Sequence, residues 1–409
     1  METPNDVLVG LDVGTHKVLC VIARPAAEPG RYDILGFGLE PSEGMKNGIV
    51  HDVEKVVKSV RKAVATAQYG AQVTMEKAWV AIGGETLTSE NCVGTAVVRG
   101  NEVKQPDVDT AEANARENSR RVGRQLIKMQ SQGYRCGDTF TAESPIGLTG
   151  DRVEAVYHAV YGSVSNAENI KRCLLRSGLE LAGYEPHPWA AASAVLNDTD
   201  RYCGTAVFDI GAETTSITVF YENRILFTDV RPYGAEFFTR DVAMMFGITL
   251  EQAEELKVTV GHCLPDDVLP GETVQPTATG GRPSALYSRH LLARTLRERA
   301  EEFFGLYKKL LDDNDLTERV HNVVITGGGA NLKGIDTVAR NAFGTPVRIG
   351  RPIWTDGRSQ IASLPEASVA IGLIVDAGRK RGAMDARGYR TRPLPALFAR
   401  LKTIVIGDY

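Results

Sequence analysis

The 409-residue sequence has little of what marks membrane-spanning, metal-binding or nucleic-acid-binding proteins. No apolar run approaches 18 residues, which excludes a spanning helix, and no basic stretch precedes the first apolar residues, which predicts a strand there and not a signal peptide. The six cysteines are scattered without a CxxC pair or histidines at metal spacing, which argues against zinc and favours a reducing cytoplasm. A net charge of −4 argues against a nucleic-acid partner.

Common catalytic signatures are also missing. The sequence has no GxxxxGK(S/T), which excludes a P-loop protein, and no GxGxxG opening a first helix, which excludes a Rossmann dinucleotide site. Neither HExxH nor GxSxG occurs. With 43% hydrophobic residues the chain is nevertheless long enough to bury a large core in two or more domains.

What the sequence does contain is one pattern that occurs twice. Strands are predicted at 7–13, 17–23 and 32–38, and again within 204–219 and at 224–230. In each set the first strand ends in Asp-x-Gly, at Asp12 and at Asp209, and a small polar turn with a threonine follows. No period of 20–50 residues is present, so we interpret the pattern as one duplication that produced two similar lobes.

Both turns carry residue types that suit phosphate. Gly14 and Gly211 let backbone N–H groups approach phosphate oxygens, and Thr15 adds a hydroxyl donor. Asp12 and Asp209 are suited to hold Mg²⁺ through water, because this ion gives up its water reluctantly. One such turn is as typical of an ordinary β-turn, but two copies, one per lobe, favour phosphate binding.

A glycine run provides a third candidate site. Gly327, Gly328 and Gly329 lie between a predicted strand at 323–326 and a helix that begins near residue 332. Backbone without side chains would let a flat adenine lie against it. A simple strand-to-helix turn is the alternative interpretation.

Two further regions do not follow the repeated pattern. Residues 85–162 indicate an inserted subdomain, with a polar helix predicted at 108–130 and a strand at 147–160. The amphipathic helix predicted at 288–311 interleaves arginines with glutamates, for which a solvated, salt-bridged face is the ordinary explanation and docking of an acidic peptide the alternative.

The C-terminal part combines a basic segment with an amphipathic pattern. Residues 378–393 contain six basic residues and one acid, a net charge of +5. The following apolar face with its two flanking cations consists of Leu397, Phe398, Arg400, Leu401, Lys402, Ile404 and Val405. This order predicts an interfacial membrane anchor on a tether, and the alternative is a terminal helix that packs on the protein's own core.

Taken in order, these segments resemble the actin/Hsp70/sugar-kinase superfamily and, within it, the FtsA family of bacterial cell-division proteins. VGLDVGTHKV and FDIGAETTSITVF are similar to its two phosphate loops, ITGGGANLKGI to its adenosine motif, and AEELK to its ribose-contacting helix. SEGMKNGIVHDVEKVVKSVRKAV is similar to a stretch specific to that family. The resemblance implies an α/β, two-lobed actin-like (ribonuclease H-like) ATPase fold with an inserted subdomain 1C in place of 1B.

The resemblance also implies a division of the chain. It gives subdomain 1A with the first phosphate loop at 1–84, the inserted 1C at 85–162, a return to 1A with the connecting helix at 163–200, subdomain 2A with the second phosphate loop at 201–230, subdomain 2B at 231–305, a return to 2A with the adenosine motif at 306–355, a return to 1A at 356–377, a basic flexible linker at 378–393 and an amphipathic membrane-targeting helix at 394–409.

By the same resemblance, the cofactors are ATP and Mg²⁺. The catalytic groups would be Asp12, Asp209 and His187, of which the two aspartates would also hold the metal. Nucleotide contacts would come from Gly14, Thr15, His16, Lys17, Gly211, Ala212, Glu213, Thr214, Glu254, Lys257, Gly327, Gly328 and Gly329. The protein would form actin-like filaments with itself on anionic lipids at the cytoplasmic face of the inner membrane, at the division septum. It would bind the FtsZ C-terminal tail near Arg299 and Glu302 and recruit later division proteins.

Three residues at two sites depart from the family pattern. Ala212 and Glu213 stand where many relatives have two glycines, and His187 stands where MreB-like and Hsp70-like proteins carry a glutamate that positions water. We therefore expect weak or slow ATP hydrolysis at most. A pilus-assembly relative of FtsA and a small-molecule kinase of the same superfamily are the alternative functions.

Overall fold

The computed structural model describes residues 7–278, 285–355 and 359–390, with side chains as far as Arg381. In chain order the strands are β1 (Leu8–Val13), β2 (Lys17–Pro25), β3 (Tyr32–Pro41), β4 (Met45–Lys46), β5 (Ile49–Val50), β6 (Lys77–Ile82), β7 (Thr88–Val97), β8 (Arg124–Cys136), β9 (Thr139–Thr141), β10 (Arg152–Ser163), β11 (Glu180–Pro186), β12 (Thr205–Ile210), β13 (Thr215–Tyr221), β14 (Arg224–Arg231), β15 (Thr273–Val274), β16 (Tyr287–Ser288), β17 (Asn322–Thr326) and β18 (Val347–Ile349). The helices are α1 (Val53–Ala71), α2 (Gln105–Asn118), α3 (Val164–Arg176), α4 (His187–Val195), α5 (Asp198–Cys203), α6 (Glu236–Phe246), α7 (Leu250–Val260), α8 (Arg289–Asp313), α9 (Ile335–Phe343) and α10 (Ser368–Arg390).

Two lobes are built on sheets with the same connectivity. The first sheet has the order β3-β2-β1-β6-β11, and the second has the order β14-β13-β12-β17-β18. In each sheet the first three strands are antiparallel neighbours and the last two add in parallel. Asp12 lies opposite Leu19 in the first hairpin, and Asp209 lies opposite Ser216 in the second. The two-lobed α/β fold predicted from the sequence is confirmed.

Local chemistry explains why the helices pack where they do. Helix α1 begins at a capping residue, Asp52, whose side chain accepts a hydrogen bond from the Lys55 amide. Its buried face follows the helical period and packs on the first sheet. Close contact is possible because β3 has glycines there, and a Cβ on Gly38 would lie 2.0 Å from the Ala63 carbonyl oxygen.

Helices α4 and α10 lie where the two lobes meet. Both are rich in small residues, and a Cβ on Gly372 would lie only 1.7 Å from the Ala190 carbonyl oxygen. One buried cluster joins residues of the first lobe, such as Leu19 and Trp189, to residues of the second lobe, such as Val207 and Val324. The lobes therefore share a core around α4, and α4 begins beside the cavity described below.

The inserted subdomain is a separate four-stranded sheet, β7-β10-β8-β9, covered by α2. It contacts the second lobe as well as the first. Gln132 donates to the Ile225 carbonyl oxygen (2.6 Å), and Ser89 donates to the Thr228 carbonyl oxygen (2.6 Å). His158 Nε2 lies 3.1 Å from Thr228 Oγ1, and the Trp189 indole donates to the same hydroxyl.

Two predicted elements differ from the structure. The helix predicted at 108–130 ends at Asn118, because the residues from Arg124 onward form β8 and pair with the distant β10; Gly123, with a left-handed φ of 73°, lies in the turn between them. The flexible linker predicted at 378–393 is helical as far as Arg390, since its arginine, lysine and alanine residues favour a helix and its first proline is Pro393. Residues 391–409, with the predicted membrane helix, lie outside the described residues. Within the described residues, no helix is long and apolar enough to cross a membrane.

Candidate functional site

A cavity of about 910 Å³ lies between the two lobes. Every residue predicted from the sequence to contact the nucleotide or the metal, or to take part in catalysis, lines this cavity: Asp12, Gly14, Thr15, His16, Lys17, His187, Asp209, Gly211, Ala212, Glu213, Thr214, Glu254, Lys257, Gly327, Gly328 and Gly329. The structure therefore brings together residues that are more than 300 positions apart in the chain.

The first loop joins β1 to β2. The Gly14 amide donates to the Lys17 carbonyl oxygen (2.9 Å), which closes a tight turn, and a Cβ on Gly14 would lie 3.1 Å from that oxygen. Asp12 is 3% exposed, and its Oδ2 is 2.7 Å from Lys17 Nζ. The charge of this buried aspartate is thus balanced by a lysine of its own hairpin.

The second loop repeats this turn between β12 and β13. The Gly211 amide donates to the Thr214 carbonyl oxygen (2.9 Å). Asp209, at the position of Asp12, is 5% exposed, but the loop provides no lysine for it. Burial raises the pKa of Asp209, and the neighbouring Asp12 raises that pKa further, against the opposite influence of His187 and Lys17.

His187 lies between the two aspartates. It is the first residue of α4, directly after β11. Its Nε2 is 3.6 Å from Asp12 Oδ1, and its Nδ1 is 3.2 Å from Asp209 Oδ2. Neither oxygen accepts a well-directed hydrogen bond, although both are buried. Two buried carboxylates on either side of His187, each with an oxygen that accepts no well-directed hydrogen bond, suit a hydrated divalent cation.

The glycine run packs against the second loop. Gly327 has a φ of 82°, and a Cβ there would lie 2.2 Å from Asp209 Oδ1. A Cβ on Gly329 would lie 2.4 Å from Ile210 Cγ2. These contacts give the run a structural reason for its glycines in addition to the predicted contact with adenine.

Helix α7 places an ion pair at the cavity wall. Lys257 Nζ is 2.7 Å from Glu254 Oε2 and donates to Thr239 Oγ1 (2.8 Å). Burial alone would raise the pKa of Glu254, but the Lys257 ammonium and the Thr239 hydroxyl hold it below its usual value. An ionised carboxylate beside an ammonium group provides both an acceptor and a donor for the hydroxyl groups of a sugar.

Sequence reasoning missed a hairpin tip that reaches the same cavity. Strands β4 and β5 are joined by Asn47 and Gly48, which have φ values of 48° and 72°. The Gly48 amide donates to Thr15 Oγ1 (3.2 Å), and the Asn47 amide donates to Glu213 Oε2. An Asn-Gly pair is a known signal for such a two-residue turn, so the hairpin itself could have been predicted.

The predicted partner residues lie away from the cavity, on α8. The Arg299 side chain is 17% exposed, and its guanidinium donates to Asp241 (Nη2–Oδ1 2.9 Å), Tyr233 (2.6 Å) and Glu302 (2.9 Å). The Glu302 side chain is 59% exposed. Arg299 therefore joins α8 to the rest of the second lobe, and Glu302 presents a carboxylate to solvent. Both remain predicted partner contacts.

The duplicated sheets, the shared interior and the cleft with one aspartate turn from each lobe define an actin-like fold. The chain superposes on the PilM-PilN type IV pilus biogenesis complex with a TM-score of 0.65 at 16% identity, over 90% of this chain and 98% of that chain. It superposes on MreB 5 of Spiroplasma citri bound to AMPPNP with a TM-score of 0.57 at 14% identity, over 94% and 100%. At these identities the superpositions establish the fold alone.

Sequence comparison gives the family. The family model of cell division protein FtsA matches residues 206–372, and that of the SHS2 domain inserted in FtsA matches residues 84–161. Cell division protein FtsA of Pseudomonas aeruginosa is 30% identical over 410 residues, which cover 98% of each chain. The chain belongs to the FtsA family of cell-division proteins.

Proposed function

We propose that this FtsA-family chain binds ATP with Mg²⁺ in the interlobe cavity and uses the bound state to assemble on the membrane at the division septum. The observation that carries the proposal is the pair of equivalent glycine turns, whose buried aspartates, Asp12 and Asp209, lie on either side of His187, each with an oxygen that accepts no well-directed hydrogen bond. The MreB 5 relative in fold was solved with AMPPNP, which supports a nucleotide as the ligand.

Each part of the cavity has a role in this proposal. Backbone amides of the two loops, with the Thr15 and Thr214 hydroxyls, would hold the phosphates, and Lys17 would add a positive charge. Asp12 and Asp209 would hold Mg²⁺ through water, and the ion would neutralise phosphate charge when bound. Glu254 and Lys257 would contact the ribose, and Gly327, Gly328 and Gly329 the adenine.

Hydrolysis would be slow. An efficient ATPase of this type needs a group that positions water for attack on the terminal phosphate. Here His187 is placed between two carboxylates, within 3.6 Å of each, so its ring nitrogens already face acidic partners. ATP would then act more as a ligand that stabilises the assembled form than as a substrate.

The remaining roles follow the family. The chain would form actin-like filaments at the cytoplasmic face of the inner membrane, anchored on anionic lipids by Leu397, Phe398, Arg400, Leu401, Lys402, Ile404 and Val405. It would tether FtsZ by binding its C-terminal tail next to Glu302 and Arg299, and it would recruit later divisome proteins. The exposed carboxylate of Glu302 supports a role in binding a partner.

Nucleotide binding is tested by titrating the full chain with ATP, with Mg²⁺ or with a chelator. We expect binding that needs Mg²⁺ and is weakened about 10–100-fold by Asp12→Asn, as for residues that hold a metal through an outer shell. The matched control is Glu251→Gln, an acid on α7 that lines the same cavity and belongs to neither turn. Binding that ignores both Mg²⁺ and Asp12 would contradict the proposed metal site.

Membrane and partner binding are tested separately, with ATP and Mg²⁺ present. Vesicles containing anionic lipids should carry the full chain upward in a flotation gradient but leave behind a chain that ends at Pro393. An FtsZ tail peptide should bind both chains equally. If neither chain floats, the tail is not an anchor; if the peptide binds neither, the pilus-type and kinase alternatives become stronger.

A further inference from the structure

Glu213 makes a contact that its position in the second loop does not require. Its Oε2 accepts a hydrogen bond from the Asn47 amide, which lies 166 positions earlier in the chain and in the other lobe. Thr214, the next residue, closes the turn through its backbone, so the Glu213 side chain is free of that task. The side chain is half-buried and lines the interlobe cavity.

The hairpin tip that receives this contact is held firmly by the first lobe. The Gly48 amide donates to Thr15 Oγ1 (3.2 Å), and Asn47 Nδ2 donates to Glu85 Oε2 (3.0 Å). The Glu85 amide donates back to the Asn47 carbonyl oxygen (3.1 Å). A Cβ on Gly48 would lie 2.5 Å from the Cα of Gly84, so the tip is packed closely against its own lobe. The Glu213 contact therefore ties one lobe to the other at the cavity.

The same contact places an anion where an anionic ligand is expected. A backbone amide facing a phosphate-binding turn would ordinarily bind a phosphate oxygen, and here a carboxylate oxygen occupies it. A triphosphate carries more negative charge than a diphosphate, so repulsion from Glu213 opposes the triphosphate more strongly.

We propose that Glu213 is an internal substitute for phosphate: it closes the lobes through Asn47 in the free protein and makes the site favour ADP over ATP relative to a neutral residue at this position. The inference rests on the proposed nucleotide function. By this inference, the replacement of two glycines, found in many relatives, by Ala212-Glu213 changes the preference of the site between ADP and ATP. Displacement of the carboxylate by a terminal phosphate would release the hairpin tip from the second lobe.

The first experiment compares the affinities of ADP and AMPPNP, with Mg²⁺, for the full chain and for Glu213→Gln. AMPPNP is not hydrolysed, so turnover does not enter. Glu213→Gln removes a negative charge near the phosphates. The affinity for AMPPNP should therefore increase about tenfold more than the affinity for ADP, because the additional charge of the triphosphate is no longer repelled at this partly exposed site. Glu251→Gln, in the same cavity, should leave the ratio of the two affinities unchanged.

The second experiment measures hydrogen exchange of the 44–50 segment without nucleotide. Glu213→Gly removes the acceptor and should speed exchange of the Asn47 amide, while the amides of β1 and β2 keep their protection. In the wild type, AMPPNP should alter exchange at this tip more than ADP does.

The outcomes separate this inference from the function on which it rests. If both nucleotides bind but their ratio is the same in Glu213→Gln, or if AMPPNP binds this variant more weakly, the selectivity proposal is wrong and nucleotide binding stands. If neither protein binds a nucleotide, the proposed function fails; unchanged exchange at Asn47 in Glu213→Gly would refute the lobe contact independently.

Discussion

The two hairpin loops that face each other across the cavity have the same backbone and opposite charge arrangements. Both begin at a buried aspartate and close through the same glycine-to-carbonyl hydrogen bond. The first loop adds Lys17, whose ammonium lies 2.7 Å from Asp12. The second adds Glu213, whose carboxylate turns away to the hairpin tip of the first lobe. The two loops share their topology but differ in their electrostatic balance.

The difference shows which lobe is destabilised by its buried aspartate. A buried aspartate with a lysine partner contributes to stability, whereas a buried aspartate without one reduces it until a cation arrives. The raised pKa of Asp209 is the sign of that cost, and burial is its main cause. The second lobe therefore gains more from a bound cation than the first.

The largest expected effect is that the same substitution, Asp to Asn, changes the free energy of unfolding in opposite directions in the two loops. Asp12→Asn should lower the free energy of unfolding by about 2 kcal/mol, because it removes the charge that pairs with Lys17 and turns a charge-assisted hydrogen bond into a weaker one. Asp209→Asn should raise it by about 1 kcal/mol, because it removes a poorly compensated buried charge. Urea denaturation at pH 7, without nucleotide or Mg²⁺, measures both.

The pH dependence of the free energy of unfolding tests whether the charge of Asp209 causes this difference. The pKa of Asp209 is raised on folding, so its cost is absent below the pKa of the unfolded chain and complete above that of the folded chain. The advantage of Asp209→Asn should thus disappear as the pH is lowered towards about 4. Equal destabilisation by both variants at pH 7 would mean that the two loops are equivalent after all.

The next effect concerns the inserted subdomain, which is bonded to the second lobe through His158. This side chain is 1% exposed and lies between Asn91 Oδ1 and Thr228 Oγ1, and burial lowers the pKa of His158 to about 4. Its contribution to stability is complete above the unfolded pKa of about 6.5 and is lost as the pH falls towards 4. Between pH 7 and pH 5 the loss should be about 2 kcal/mol.

His158→Gln should remove that part of the acid sensitivity, whatever it does to stability at pH 7. The readout is the difference between the unfolding free energies at pH 7 and pH 5, compared with the wild type. His321→Gln is the control, because His321 is exposed in the second lobe. An unchanged difference in His158→Gln would show that the interface between the insertion and the second lobe is not the acid-sensitive element.

Structural features that depend on neighbouring residues can be predicted from this sequence, whereas features that depend on residues far apart in the chain cannot. The repeated Asp-x-Gly turns are local, and they predicted the three antiparallel strands of each sheet and the two aspartate turns that line the cavity, whereas Glu254, Lys257 and His187 were expected only from the family resemblance. The pairing of β8 with β10 is not local, and a polar segment was predicted as helix where a strand forms. The bond between Glu213 and Asn47 depends on the meeting of two lobes, and neither segment carries a sign of it.

The smallest expected effect distinguishes the two candidate partner residues on α8 of the second lobe. Arg299 binds Asp241 and Tyr233 inside the lobe, so its replacement would disturb the fold and any partner surface together. Glu302 makes one ion pair at the surface, and Glu302→Lys should change stability by about 0.5 kcal/mol or less. It is therefore the cleaner probe of partner binding.

If the FtsZ tail binds at this face, Glu302→Lys should change its affinity without a matching change in unfolding, and the direction should follow the charge of the peptide. Glu318→Lys is the matched control, since it reverses an exposed acid beyond the end of α8. A peptide that responds equally to both variants senses only the net charge of the lobe, and its binding site then lies elsewhere. A response to Glu302→Lys alone would assign the exposed face of α8 to the partner and leave Arg299 as the residue that holds this face in place.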